Sequence, residues 1–396
     1  MSLRVERLIA CLALCAAPAT AAAQASFTGL GQLEDRYIES HGLGVSSDGS
    51  VVVGRAVLFH ASTPSSRGYS QPFRWTRDEG MTGLGNLPFG SGDQYLTSSA
   101  HDTNADGSVI VGDGDIGTTG QRLDRVGFRW TSGTGMLALD AFPSSFTSSD
   151  AEAVSDDGSV IVGTGYIGFA AEACRWTPSE GMIGLGDLPG GGAESRALDL
   201  ASDGSVVVGF GTSDVGREAF RWTSDGGMIG LGDLPGGAFH SHALATSADG
   251  SVVVGWSDGA LGREAFRWTL RDGMVGLGDL VGRSYFSAAV ATSADGSVVV
   301  GISDGVRGQT VFVWDTVHGM RDFGEVLTQA GVDLGGWTLS TAGDISADAS
   351  TIVGTGIDPD GGMEAWVAVV PVPEPSPTAL GVAVVTTIAV IRRCTA

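Results

Sequence analysis

Lysine is absent from the 396-residue chain: all 22 basic residues are arginine, set against 45 acidic residues for a net charge of −23. Such a surface repels phosphate backbones, which excludes nucleic acid as a partner, and it favours solubility. Cysteine is nearly absent from the body of the chain. Cys11, Cys15 and Cys394 lie near the ends and leave Cys174 alone between them, so no intrachain disulfide can staple the body, and stability rests on burial and backbone pairing. Histidine is scarce too, with six residues scattered along the chain. His240 and His242 share one strand face, which permits a zinc pair, but no third ligand accompanies them. No nucleophile–base pair or glycine-rich phosphate loop occurs, so no catalytic residue is assigned. Apolar runs are confined to the two ends, and no segment shows a helical 3.6-residue period.

The ends carry sorting signals. Arg4 and Arg7 precede an apolar stretch from Leu8 to Pro18 and then small residues, with Ala21-Ala22-Ala23 and Ala23-Gln24-Ala25 as cleavage patterns. That order predicts a secretory signal peptide over residues 1–25 and an exported protein. At the other end Val372-Pro373-Glu374-Pro375 leads into an apolar stretch from Thr378 to Ile391, closed by Arg392-Arg393. As a helix this stretch reaches about 21 Å, short of a hydrocarbon core of about 30 Å. Residues 372–396 resemble a PEP-CTERM sorting tail. The resemblance implies an exosortase-type processing enzyme in a Gram-negative bacterium, membrane contact only through the tail before processing, and a final place at the cell surface or outside it.

Between the ends the chain repeats. Trp130, Trp176, Trp222, Trp268 and Trp314 recur every 46 residues, with Trp75 before them and Trp366 after. Asp48, Asp106, Asp157, Asp203, Asp249, Asp295 and Asp348 mark the same units, and Met81, Met136, Met182, Met228, Met274 and Met320 follow at constant offset. In one unit, Ser241 to Ser247 is a small-residue strand and Asp249-Gly250 a tight hairpin turn needing φ > 0. Val252-Val253-Val254 then has the composition of a doubly buried strand. Glu264 to Thr269 alternates aromatic and polar residues, and Gly273 to Gly278 makes a fourth short strand. The 63 glycines suit so many turns.

Four short strands per unit predict an all-β fold: a single seven-bladed β-propeller with four-stranded blades over residues 26–371. A β-solenoid is the alternative. Phe27-Thr28-Gly29-Leu30-Gly31 precedes the first inner strand, and the last unit lacks a fourth strand, so the N-terminal strand is expected to close the ring. The runs Gly-Leu-Gly-Asp-Leu-Pro-Gly-Gly at 184–191 and 230–237, with Ala-Asp-Gly-Ser-Val-Val-Val-Gly and Ala-Phe-Arg-Trp, resemble the HAF family of extracellular repeats over nearly the whole mature chain. Glu218 and Glu264 stand where that family often has His. The resemblance implies export and repetition, without an assigned chemistry.

Two sets of candidate site residues follow. Asp102-Thr103-Asn104-Ala105-Asp106-Gly107 matches the opening of a calcium loop, with Asp113 and Asp115 downstream, although Asp106-Gly107 is also the recurrent hairpin turn. The longer connections of units one, two and seven fall on one rim, whose loops carry Tyr37, Tyr69, Tyr95 and Trp337, expected as exposed ligand-binding aromatics. On this reading the protein is a non-enzymatic binding scaffold at the cell surface or in the matrix, its partner an extracellular polysaccharide or a surface protein. The rival expectation is an enzyme acting on extracellular polysaccharide.

Overall fold

The structure, a computed structural model, describes residues 24–370 apart from residue 35, the segments 59–68, 88–96, 117–123 and 140–147, and residue 169. The expected signal peptide through residue 23 and the sorting tail, with Val372, Pro373, Glu374, Pro375, Arg392 and Arg393, lie outside the described residues. Among the described residues the architecture is all-β. Antiparallel four-stranded sheets follow one another along the chain, and the one eight-stranded sheet is two such sheets joined by a single parallel bridge between Arg217 and His240. A representative sheet pairs Gly236–Thr246, Val252–Gly259, Arg263–Thr269 and Gly273–Gly276 in chain order.

The hairpin between the first two strands is built by its own side chains. Asp249 Oδ1 accepts from the Ser251 N–H at 2.9 Å, and Ser247 Oγ accepts from the Val252 N–H at 3.0 Å. Gly250 supplies the positive φ of 67°. The second strand is buried, with Val253 and Val254 fully enclosed. Its next residue, Gly255, faces a β-bulge between Ala243 and Ala245 of the first strand. A Cβ on Gly255 would collide with the His242 carbonyl, which explains why each Val-rich run ends in glycine.

Apolar cores lie between successive sheets. Phe220, for instance, packs with Ala153, Val162 and Ala197 from its own and the preceding sheet. Phe73, Phe128, Phe220, Phe266 and Phe312 are all fully buried in equivalent places. Cys174 and Trp366 fill the same column: each pairs with a strand glycine, Gly163 or Gly354, as Phe266 pairs with Gly255. Trp366 therefore belongs to the buried Phe column and not to the column of the recurring Trp. The lone cysteine is a core residue, and burial pushes its thiol well above the usual range.

At the ends of the described chain, Ser26–Gly29 pairs antiparallel with Met363–Val369, Phe27 lying opposite Ala368. One core cluster combines Val45, Val52 and Phe73 of the first sheet with Val353, Ala365 and Val367 of the last. Among the described residues the one helix is Phe323–Gln329, which the sequence pattern does not predict. Asp322 caps it by accepting from the Glu325 N–H at 3.1 Å, and Phe323 and Leu327 are its buried residues. An Asp-x-x-Glu capping pattern was visible at that point, but seven residues are too few for periodicity to show.

Candidate functional site

The positions that vary on this frame are best seen against those that do not. Ser40, Ser98, Ser149, Ser195, Ser241 and Ser287 stand at one register level of six inner strands. Ser241 Oγ donates to the Gly232 carbonyl at 2.6 Å and accepts from the Ala219 N–H at 2.9 Å, so one buried hydroxyl ties two neighbouring sheets. Ser195 and Ser287 repeat both bonds, and Ser40 does so between Gly31 and Ala365. Glu218 and Glu264 accept from the backbone N–H groups of Gly232 and Gly278, each at 2.9 Å. These two carboxylates thus satisfy a tight glycine turn.

Next to each serine the chemistry changes from sheet to sheet. Counting seven residues before and after the turn aspartate gives cross-strand pairs at one level: His41 with Arg55, Ser99 with Asp113, Asp150 with Thr164, Arg196 with Phe210, and His242 with Trp256. These two columns form a tier at the start of the inner strands, away from the Asp-Gly turns. One part of it is ionic. Asp113 is fully buried, faces His101 Nε2 at 2.9 Å, and is ion-paired to Arg125. Burial opposes the charge on His101, but Glu152 and Asp113 outweigh it and push the imidazole up to about 10. The Tyr166 hydroxyl donates to Asp150 at 2.7 Å and is in turn 3.2 Å from Arg196.

The other part is a ladder of rings. His242 is stacked between Phe210 and Trp256, with centroids 3.8 Å and 4.3 Å away. Arg263 lies 3.6 Å above the Trp256 ring, Arg217 lies 5.3 Å from Phe210, and Arg196 lies between Tyr166 and Phe210. His240 meets His242 with Nε2 atoms 3.2 Å apart and has Asp258 Oδ2 at 3.2 Å from its Nδ1. Burial, followed by His240 and the nearby arginines, lowers His242 to about 3, so this ring is neutral at physiological pH.

Below this tier the inner strands line a narrow channel of about 120 Å³ containing Asp102, Asp199 and Asp344. Each carboxylate accepts a backbone N–H from the next sheet: Asp102 from Val154 at 2.8 Å, Asp199 from Thr246 at 2.7 Å, and Asp344 from Val45 at 3.0 Å. Burial raises all three, Asp199 to about 7 and Asp344 to about 6.

The residues singled out in the sequence fall in separate places. Tyr37 is buried in the core and donates its hydroxyl to Gln71 at 2.6 Å, so it is no exposed loop aromatic. Tyr69 opens the strand Tyr69–Thr76, and Tyr95 lies outside the described residues. Trp337 packs edge-on against Phe27 at 5.2 Å and lines a groove of about 970 Å³ beside Leu280, Val306 and Val326. The calcium pattern also disperses. Asp106 and Asn104 cap their hairpin through the Ser108 and Val109 N–H groups, Asp102 is in the channel, Asp113 is in the ionic cluster, and Asp115 holds Thr97. Among the described residues no three His, Cys, Asp or Glu side chains group as metal ligands. The variable columns carry no recurring residue, so the repeat pattern does not reveal them; their one signal in the sequence is a constant offset of seven residues on either side of the turn aspartate.

No family model matches the chain, and no curated protein matches it. Among solved structures, the chain resembles oligogalacturonate lyase from Vibrio parahaemolyticus at 11% identity and a TM-score of 0.51, covering 87% of this chain and 93% of that one. TolB from Agrobacterium tumefaciens matches at 15% identity and a TM-score of 0.44, covering 82% of this chain and 100% of that one. TolB from Acinetobacter baumannii matches at 14% identity and a TM-score of 0.45, covering 68% of this chain and 62% of that one. The expectation of a non-enzymatic scaffold is overturned here, because a fold shared with a lyase gives no ground for setting catalysis aside. Equally, 11% identity carries none of the lyase's chemistry across, and the rival expectation of a polysaccharide-acting enzyme gains nothing. What the comparisons establish is the fold: this is an all-β, propeller-like chain.

Proposed function

We propose that the protein is a closed seven-bladed β-propeller that captures a small acidic ligand at the arginine–aromatic ladder. The ring reading is supported by a backbone relay beside the turns. Ala105 N–H donates to Asp156, Asp156 to Ser202, Ser202 to Ala248, Ala248 to Ala294, Ala294 to Ala347, and Ala347 to Ser47. The Asp48 N–H meets the Ala105 carbonyl at 3.4 Å and links the remaining neighbours. Pairing of Ser26–Gly29 with the last sheet supports the same reading.

The ligand reading is carried by one observation: in a chain of net charge −23, three guanidiniums gather on aromatic faces, Arg263 only 3.6 Å above Trp256. A guanidinium resting on a ring is oriented before any ligand arrives; Arg217 gives one N–H to Glu194, and the remaining N–H groups of Arg217 and Arg263 suit bonds to a carboxylate or phosphate. Arg217 and Arg263 each keep over a third of their side-chain surface exposed. Titration calorimetry with citrate and with inorganic pyrophosphate, in the presence of a chelator, tests the reading. Binding that weakens at least tenfold in an Arg217→Ala/Arg263→Ala variant is expected. No binding of either probe, or equal affinity in the variant, overturns it.

Export, exosortase processing and a place at the cell surface are also proposed, on the residue patterns at 1–25 and 372–396.

A further inference from the structure

We propose that His240 and His242 form a two-imidazole site for a late first-row divalent metal ion, zinc(II) or copper(II). The two residues are separated by one position on the strand Gly236–Thr246, so their side chains leave the same face. Their Nε2 atoms point at each other across 3.2 Å. Two nitrogens bound to one tetrahedral zinc at about 2.0–2.1 Å lie roughly 3.4 Å apart, so little movement separates this contact from a chelate. Imidazole nitrogen is a donor that such ions favour.

Each ring is held for the task. His242 cannot rotate freely because Phe210 and Trp256 sandwich it. His240 directs Nδ1 to Asp258 Oδ2 at 3.2 Å, the carboxylate–histidine arrangement that fixes the tautomer and frees Nε2 for a metal. Arg217 and Arg263 bring positive charge near the pair, but each is answered by a carboxylate, Glu194 at 2.8 Å and Asp258 at 3.9 Å. Among the described residues no third His, Cys, Asp or Glu joins the two imidazoles, so water or a bound ligand completes the coordination.

The proposal is independent of the acidic-ligand reading: it requires no arginine and is tested with metal alone. The full chain, stripped with a chelator, is titrated with zinc chloride in a buffer free of phosphate and carboxylate. One zinc ion per chain is expected, and copper(II) electron paramagnetic resonance should report two nitrogen ligands. His240→Ala and His242→Phe should each abolish stoichiometric uptake; the second keeps a ring between Phe210 and Trp256, and circular dichroism checks both folds. Should His242→Phe fail to fold, the partly exposed His240→Ala decides alone. Asp258→Asn should weaken binding roughly tenfold or more. Absence of stoichiometric uptake by the native chain, or uptake unchanged by His240→Ala, overturns the site, and unchanged affinity in Asp258→Asn removes the orienting role.

Discussion

Asp344 accepts a hydrogen bond from the backbone N–H of Val45 at 3.0 Å, across 299 residues of chain. It is one of three channel carboxylates that fasten an inner strand to its neighbour, and burial raises the pKa of each. A raised carboxylate binds protons more tightly in the folded chain than in the unfolded one. Its contribution is therefore fully present below about pH 4, the unfolded value, and is lost as pH rises through about 6 for Asp344 and about 7 for Asp199. The thermal midpoint should rise as pH is lowered from 7.5 to 5, by an amount reflecting a few kcal/mol in total. Replacing Asp102, Asp199 and Asp344 together by Asn should flatten that slope, and a slope unchanged in the triple variant would contradict the assignment. The turn aspartates act in the opposite sense at lower pH. Ser108 bonds hold Asp106 below its usual value, and equivalent serine bonds outweigh burial at Asp48, so their stabilisation is lost only as pH falls below about 4.

Ser241→Ala should cost about 2–3 kcal/mol, because it strands the buried Gly232 carbonyl and Ala219 N–H that one hydroxyl serves. Urea denaturation measures this directly. A loss below about 0.5 kcal/mol would mean that the tie between sheets is incidental.

Tyr37 behaves as a core residue. Tyr37→Ala should destabilise by about 3–5 kcal/mol, while Tyr37→Phe should lose only the bond to Gln71, about 1 kcal/mol. Neither change should alter binding of citrate or pyrophosphate once folding is corrected for. Loss of binding with stability intact would return Tyr37 to the ligand-facing role expected from sequence.

Processing of the C-terminus is checked by mass spectrometry of protein recovered from its native cells. The mature chain should lack residues 378–396. Recovery of that peptide intact from cytoplasmic material would rule out the sorting proposal.

The sequence by itself determined the strand order of each sheet. Turn chemistry such as Ser247-Ala248-Asp249-Gly250-Ser251 is local: its bonds span at most five residues and form the same hairpin wherever the residues recur. The Val-rich and aromatic strands were legible for the same reason, since period-two burial needs only the next residue to be known. What lay beyond reach was which residues meet across sheets. Spacing alone groups Trp366 with the recurring Trp, because it cannot tell the buried column from the one two residues later; pairing with Gly354 decides it. The channel carboxylates, the Ser241 tie and the stacking of His242 between Phe210 and Trp256 all join residues of different strands or sheets. Their partners become neighbours only when the sheets pack, and the physical reason is burial: enclosed by other sheets, a carboxylate, hydroxyl or imidazole must find a partner or change its charge, and only the tertiary structure supplies the partner.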